Sequence, residues 1–188
     1  MPNKKYIIGI VEGNKSGPKK FYEALLTTFD TNIVGDFSKS HVFNIVDDDI
    51  RPCLIIETTD FILINLHAPW AKALYNKSEH QYKDISFNKI NQDHLNIAGK
   101  YLFNKIYDVI KKEFLFENKE IIFMGDFNDT NGGYLKVFKD MMLRKFQRQL
   151  YTCEKTKTCC ISEMGSNILT ATEKLEMIGY GDYILSTL

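Results

Sequence analysis

The alternation of apolar and polar positions divides the chain into short segments of two kinds. Residues 6–11, YIIGIV, form an apolar run that stops at Glu12 and is followed by the turn-forming GNKSGP, which predicts a buried strand. Pro18 fits the first turn of a helix. Over PKKFYEALLTTF, residues 18–29, Phe21, Leu25 and Leu26 fall on one side and Lys19, Lys20 and Glu23 on the other, which predicts an amphipathic helix. Residues 41–46 and 53–57 are short β-type runs, and DFILINLHAPW at 60–70 is a strand closed by Pro69. Residues 71–92 are polar without strong periodicity and read as a long loop with at most one short turn of helix.

The second half repeats the alternation. From Asn91 to Phe116, Leu95, Ala98, Leu102, Ile106, Val109 and Ile110 recur at steps of three and four, the signature of an amphipathic helix. A strand IIFMGDF follows, and then a helix from Tyr134 to about Leu150. That helix sets Leu135, Phe138, Met142 and Phe146 against a basic face of Lys136, Lys139, Arg144, Lys145 and Arg148. A β-type KTCCIS, a polar loop with a possible helical turn, and a last strand GDYILST complete the chain. No internal repeat interrupts the pattern. Strands alternating with helices predict an α/β or α+β domain with a mixed sheet.

Composition narrows the class. A chain of 188 residues suits one domain with a real core, and 44% hydrophobic, 13% aromatic and 26% charged residues describe a globular protein. Net charge is zero, so an anion-binding surface has to come from local clustering. Four cysteines, Cys53, Cys153, Cys159 and Cys160, form no C-x-x-C and indicate free thiols in a reducing compartment. The apolar run at the N-terminus is too short for a signal peptide or a membrane span, so an intracellular, cytoplasmic location is expected.

Three predicted strands end on polar residues of catalytic type, Glu12, His67 and Asp126. GDFND invites three readings. One is an Asp-rich turn. Another is an EF-hand loop, which a late Gly and Val137 in the twelfth place argue against. The third is a metal or phosphate site. His67 alone reads equally as a structural histidine, and Trp70 as a stacking platform or a cap on the core. A thiol enzyme built on Cys159 or Cys160 lacks a histidine in sequence reach.

Taken in order, YIIGIVEG, ILINLHAPW, IIFMGDFND and GDYIL resemble the successive motifs of the endonuclease/exonuclease/phosphatase superfamily, over nearly the whole chain. The resemblance implies an incomplete four-layer α/β sandwich of the deoxyribonuclease-I-like type, with mixed sheets flanked by helices. It implies residues 1–188 as a single domain truncated at both ends relative to the family. Glu12 would bind the metal, although Val11 stands where the family has Gln. NLHAP matches N-x-H-x-P, which gives Asn65 to substrate binding and His67 to the scissile phosphate, and Trp70, directly after Pro69, is placed to stack on a substrate base or sugar or to cap the core. In GDFN, Asp126 would position or deprotonate the attacking water and also hold metal, and Asn128 would bond the phosphate. Asp182 would orient a final histidine, yet no histidine follows His94, and the family's first Asn strand has no counterpart.

The expected activity is Mg²⁺- or Mn²⁺-dependent hydrolysis of a phosphoric ester by in-line attack of water, on nucleic acid or another phosphoester. Hard oxygen ligands at Glu12 and Asp126 suit those cations. The reading from a different class is a catalytically impaired remnant that acts as a binding module. Missing terminal strands would expose sheet edges and favour self-association or a complementing fragment.

Overall fold

A computed structural model describes residues 3–14, 20–46, 50–78, 90–128, 133–154 and 182–187. The elements are β1 (Lys4–Asn14), β2 (Lys20–Asp30), the single turn α1 (Thr31–Val34), β3 (Phe37–Asn44), β4 (Pro52–Thr58) and β5 (Phe61–His67). They continue with α2 (Ala71–Ser78), α3 (Gln92–Glu113), β6 (Glu120–Asp126), α4 (Gly133–Phe146), β7 (Tyr151–Glu154) and β8 (Asp182–Ser186). The protein is a mixed α+β structure. Its main sheet has six strands in the order β3-β4-β5-β6-β8-β7, and β1 and β2 form a separate two-stranded sheet.

The main sheet is antiparallel except for one pair: β5 and β6 run parallel, joined through α2 and α3. β4 is buried along its whole length, so its alternate residues feed two cores. Cys53 and Ile55, with Ile62, Ile64 and Leu66 of β5 and Ile121 and Phe123 of β6, face Leu102, Phe103 and Ile106 of α3 and Phe138 and Met142 of α4. Leu54, Ile56, Phe61 and Leu63 point the other way and pack on Phe29, Leu25 and Ile7 of the β1–β2 hairpin. Of the four layers implied by the resemblance, the described residues build three: hairpin, sheet and helices.

Local signals explain most boundaries. Asn91 caps α3, its side chain accepting from the His94 backbone N–H while the His94 ring takes the N–H of Asn91. The helix expected from Tyr134 to Leu150 stops at Phe146, because Gln147 takes φ 57° and a new strand, β7, begins at Tyr151. Residues 71–78, read as loop, make two turns of helix with Leu74 in the core.

The helix expected at 18–29 is a strand, and this correction matters most for the site. Residues 20–30 pair with β1 in an unbroken antiparallel register from Asn14↔Lys20 to Lys4↔Asp30. Leu25, Thr27 and Phe29 turn inward at period two, and burying them on the sheet outweighs the helical spacing of Phe21, Leu25 and Leu26. Pro18, the KTCCIS segment and Cys159 and Cys160 lie outside the described residues.

Candidate active site

The single parallel pair creates the site, because it brings the C-terminal ends of β5 and β6 to one edge of the sheet. In register, His67 stands opposite Asp126, and Asp126 in turn stands opposite Asp182 of β8. Three residues that lie far apart in the sequence therefore occupy one row across three strands. Asn65 is two residues before His67 and shares its face, the one turned toward the hairpin. Backbone bonds reinforce the row: the Ala68 N–H donates to the Asp126 carbonyl at 2.7 Å.

Gly125 makes the approach of the two strands possible. It has φ 114°, and a Cβ there would lie 2.2 Å from the Leu66 carbonyl oxygen of β5. The GDFN turn is fixed on its far side by Asn128. Its backbone N–H donates to Asp126 Oδ1 at 2.7 Å, and its side-chain amide donates to the Ala68 carbonyl at 2.6 Å. Asn128 is buried, with φ 50°, and its amide donor ties the exits of β5 and β6 together.

Two residues that were assigned no role complete the surroundings of His67. Glu23 of β2 accepts a hydrogen bond from Nδ1, and the Arg51 guanidinium donates to Nε2 at 2.5 Å. These partners set the tautomer, with the proton on Nδ1 and the lone pair on Nε2. Asp126 Oδ2 lies 3.8 Å from the same Nε2. Asn65 donates its amide to Thr27 Oγ1 at 3.0 Å and to the Leu26 carbonyl at 3.2 Å, which fixes the hairpin against the site. Glu23, Leu25, Asn65, His67, Gly125 and Asp126 line one open pocket. The signal that could have found Glu23 is the period-two series Glu23, Leu25, Thr27, Phe29. Arg51 carries no such signal, since it lies outside any strand, next to Pro52.

Glu12 is not brought to this cluster. Cross-strand partners share a face: Glu23 pairs with buried Val11, whereas Glu12 pairs with exposed Tyr22. Glu12 therefore points away from the sheet, where it bonds Lys20 at 2.6 Å. That hydrogen bond and the lysine charge hold its carboxyl below the usual value and raise the Lys20 ammonium. Trp70 is half exposed, and its carbonyl accepts the N–H groups of Ala73 and Leu74 in α2. Of Asp182 only the backbone register is described.

Among the described residues no three His, Cys, Asp or Glu side chains are gathered into a metal cage. The donor chemistry nevertheless suits a hard cation. Magnesium is commonly held by one or two carboxylates together with substrate phosphate, and Glu23 and Asp126 supply two carboxylates to one pocket. Cys53 is fully buried, and burial pushes its thiol pKa up, which makes it inert. The basic face of α4 lies on the helical side of the sheet, opposite the His67 face. Among the described residues no helix is long and apolar enough to cross a membrane.

No protein-family model matches the chain, and no curated protein matches it. Solved structures do. An endonuclease/exonuclease/phosphatase family protein from Bacteroides thetaiotaomicron is similar with a TM-score of 0.46 and 16% identity, over 99% of this chain and 60% of that one. The human Nocturnin catalytic domain with bound sulfate is similar with a TM-score of 0.45 and 13% identity, over 97% of this chain and 60% of that one. A truncated Caenorhabditis elegans TDP2 gives 0.41 and 13%, over 96% and 61%. The chain thus spans about three fifths of the length of the structures it resembles.

Proposed function

We propose that the protein is a phosphoric ester hydrolase whose reacting centre is the row His67–Asp126–Asp182 at the exits of β5, β6 and β8. One observation carries the reading: the residues assigned to chemistry by the motif resemblance fall in register across three neighbouring strands. A turn-forming Asp or a structural histidine would have no need of that alignment.

His67, Asp126 and the residues that contact them then have separate tasks. Asp126 accepts a proton from, and orients, the water that attacks phosphorus. His67, held by Glu23 with its proton on Nδ1, exchanges a proton at Nε2 once the substrate phosphate draws the Arg51 guanidinium off that atom. Arg51, placed on Nε2, supplies the positive charge and paired donors that a phosphoryl oxygen requires. Asn128 keeps Asp126 oriented through its backbone N–H. The carboxylates of Asp126 and Glu23 would hold magnesium or manganese, and when bound such an ion offsets the charge of the phosphoryl group. Nucleic acid is the substrate class to test first, followed by other phosphodiesters.

The test is hydrolysis of an aryl phosphodiester, single-stranded DNA and duplex DNA by the purified chain, with and without Mg²⁺, beside Asp126→Ala and His67→Ala. Turnover reduced about 100-fold or more by each substitution is expected. Folded protein with no turnover above the Asp126→Ala background would reject the proposal.

A further inference from the structure

The outer face of the β1–β2 hairpin is apolar and exposed. Tyr6, Ile8 and Ile10 of β1 and Tyr22 and Leu26 of β2 all point away from the main sheet, and each is 56–64% exposed. The register places them side by side, with Ile8 opposite Leu26 and Ile10 opposite Ala24. Among the described residues β1 and β2 pair only with each other, and a two-stranded sheet with one face in water is marginal by itself. We propose that this face is a twofold interface between two copies of the chain, the hairpins stacking face to face.

Size supports a second copy as the occupant. A tyrosine offers roughly 200 Å² and the aliphatics somewhat less, so the five side chains leave on the order of 550 Å² uncovered. Single exposed apolar residues are ordinary, but one contiguous patch of this area is at the upper end of what a monomer shows. Burying the same patch on two copies removes about 1,100 Å², which clears the roughly 1,000 Å² expected of a specific interface.

The order of residues along β1 supports twofold symmetry. Lys4, Tyr6, Ile8, Ile10 and Glu12 alternate with the inward-facing positions and so share the outer face. Lys4 and Glu12 are equally far from Ile8. With the twofold axis at Ile8 and the hairpins antiparallel, Lys4 of one copy meets Glu12 of the other, and Tyr6 meets Ile10. The strip is thus self-complementary in charge and shape, as a twofold interface requires. Stacked sheets align within about 30°, which keeps that pairing in reach.

Sedimentation velocity of the chain between 1 and 100 µM tests this. The expected species has twice the 21.8-kDa mass of the chain. Ile8→Lys, which sets two like charges on the axis, is expected to weaken dimerisation at least 10-fold. Leu143→Lys, at an equally exposed position on α4, is expected to leave it unchanged. Circular dichroism melts confirm that each variant is folded, and Tyr6→Lys replaces Ile8→Lys if that variant is not. In the unmodified chain, hydrogen exchange of residues 4–12 is expected to slow as protein concentration rises. A monomer at 100 µM overturns the proposal, as does association that Ile8→Lys and Tyr6→Lys leave unaltered.

Discussion

Gly125→Ala probes the backbone contribution to the site, because it alters no side chain there, although its Cβ would also meet Asn65 Oδ1 at 3.0 Å. Two costs add. An alanine held at φ 114° is strained by about 1–3 kcal/mol. Its Cβ would also lie 2.2 Å from the Leu66 carbonyl oxygen and 3.1 Å from the Leu66 nitrogen, both backbone atoms of the neighbouring strand that cannot swing aside as a side chain can. Forcing β5 and β6 apart to relieve this overpacking costs a further 1–3 kcal/mol or so. A loss of about 4 kcal/mol follows, a large share of the 5–15 kcal/mol typical of a domain. With a urea slope near 2 kcal/mol/M, the unfolding midpoint falls by about 2 M. Gly133→Ala is the control. The three atoms nearest its Cβ, at 2.8, 3.0 and 3.3 Å, all belong to the Leu95 side chain and none is backbone, so its midpoint should move by less than about 0.5 M. A Gly125→Ala midpoint within 0.5 M of the unmodified protein would refute the claim that the two strand exits are held at glycine distance.

Other perturbations probe other links. Glu23→Gln removes the carboxylate that fixes the His67 tautomer, and kcat on a phosphodiester should fall by up to about 100-fold with KM unchanged; equal kcat values would remove Glu23 from the mechanism. Lys119→Met leaves Glu57, 3% exposed, with only Lys39 at 3.8 Å in place of the 2.7 Å Lys119 partner, and should cost about 3 kcal/mol in urea unfolding; a loss under 1 kcal/mol would show the pair to be dispensable. The Glu12 carboxyl titrates below its ordinary 4.5, so its pairing with Lys20 stabilises the fold above that value and is lost as pH falls through the lowered one. Glu12→Gln should therefore lower the thermal midpoint slightly at pH 7 and by less at pH 3. The same decrement at both pH values would contradict the pairing.

The sequence made the main sheet readable where one physical signal dominated. β4, β5 and β6 are apolar runs ended by Thr, His and Asp, and α3 carries both a cap and an unbroken helical stripe, so these segments could be assigned without tertiary information. Residues 20–30 could not, because Phe21, Leu25 and Leu26 satisfy a helical period while Leu25, Thr27 and Phe29 satisfy a strand period. Only the surface against which they pack decides between the two. The error propagated to the site. With 20–30 as a helix, Glu23 belonged to a solvated face and Glu12 stood beside Asp126 as the second expected metal carboxylate. With 20–30 as a strand, the hairpin's pleat turns Glu23 toward His67 and Glu12 away from it. His67, Asp126 and Asp182 were legible as motif residues, but their common row depends on strand order, which no local pattern encodes.

The lone parallel pair also sets the order in which the chain can assemble. β1 with β2 and β3 through β5 are antiparallel neighbours joined by short connections, so their contacts close early at little entropic cost. β6 must wait for the segment from Ala68 to Lys119 to fold over the sheet before Phe61 meets Glu120, and β8 joins only after a further stretch from Phe127 to Gly181. Such distant pairings make slow folding steps. The row His67–Asp126–Asp182 is therefore among the last features to form, and hydrogen exchange pulsed during refolding should find β4 and β5 protected before β6 and β8.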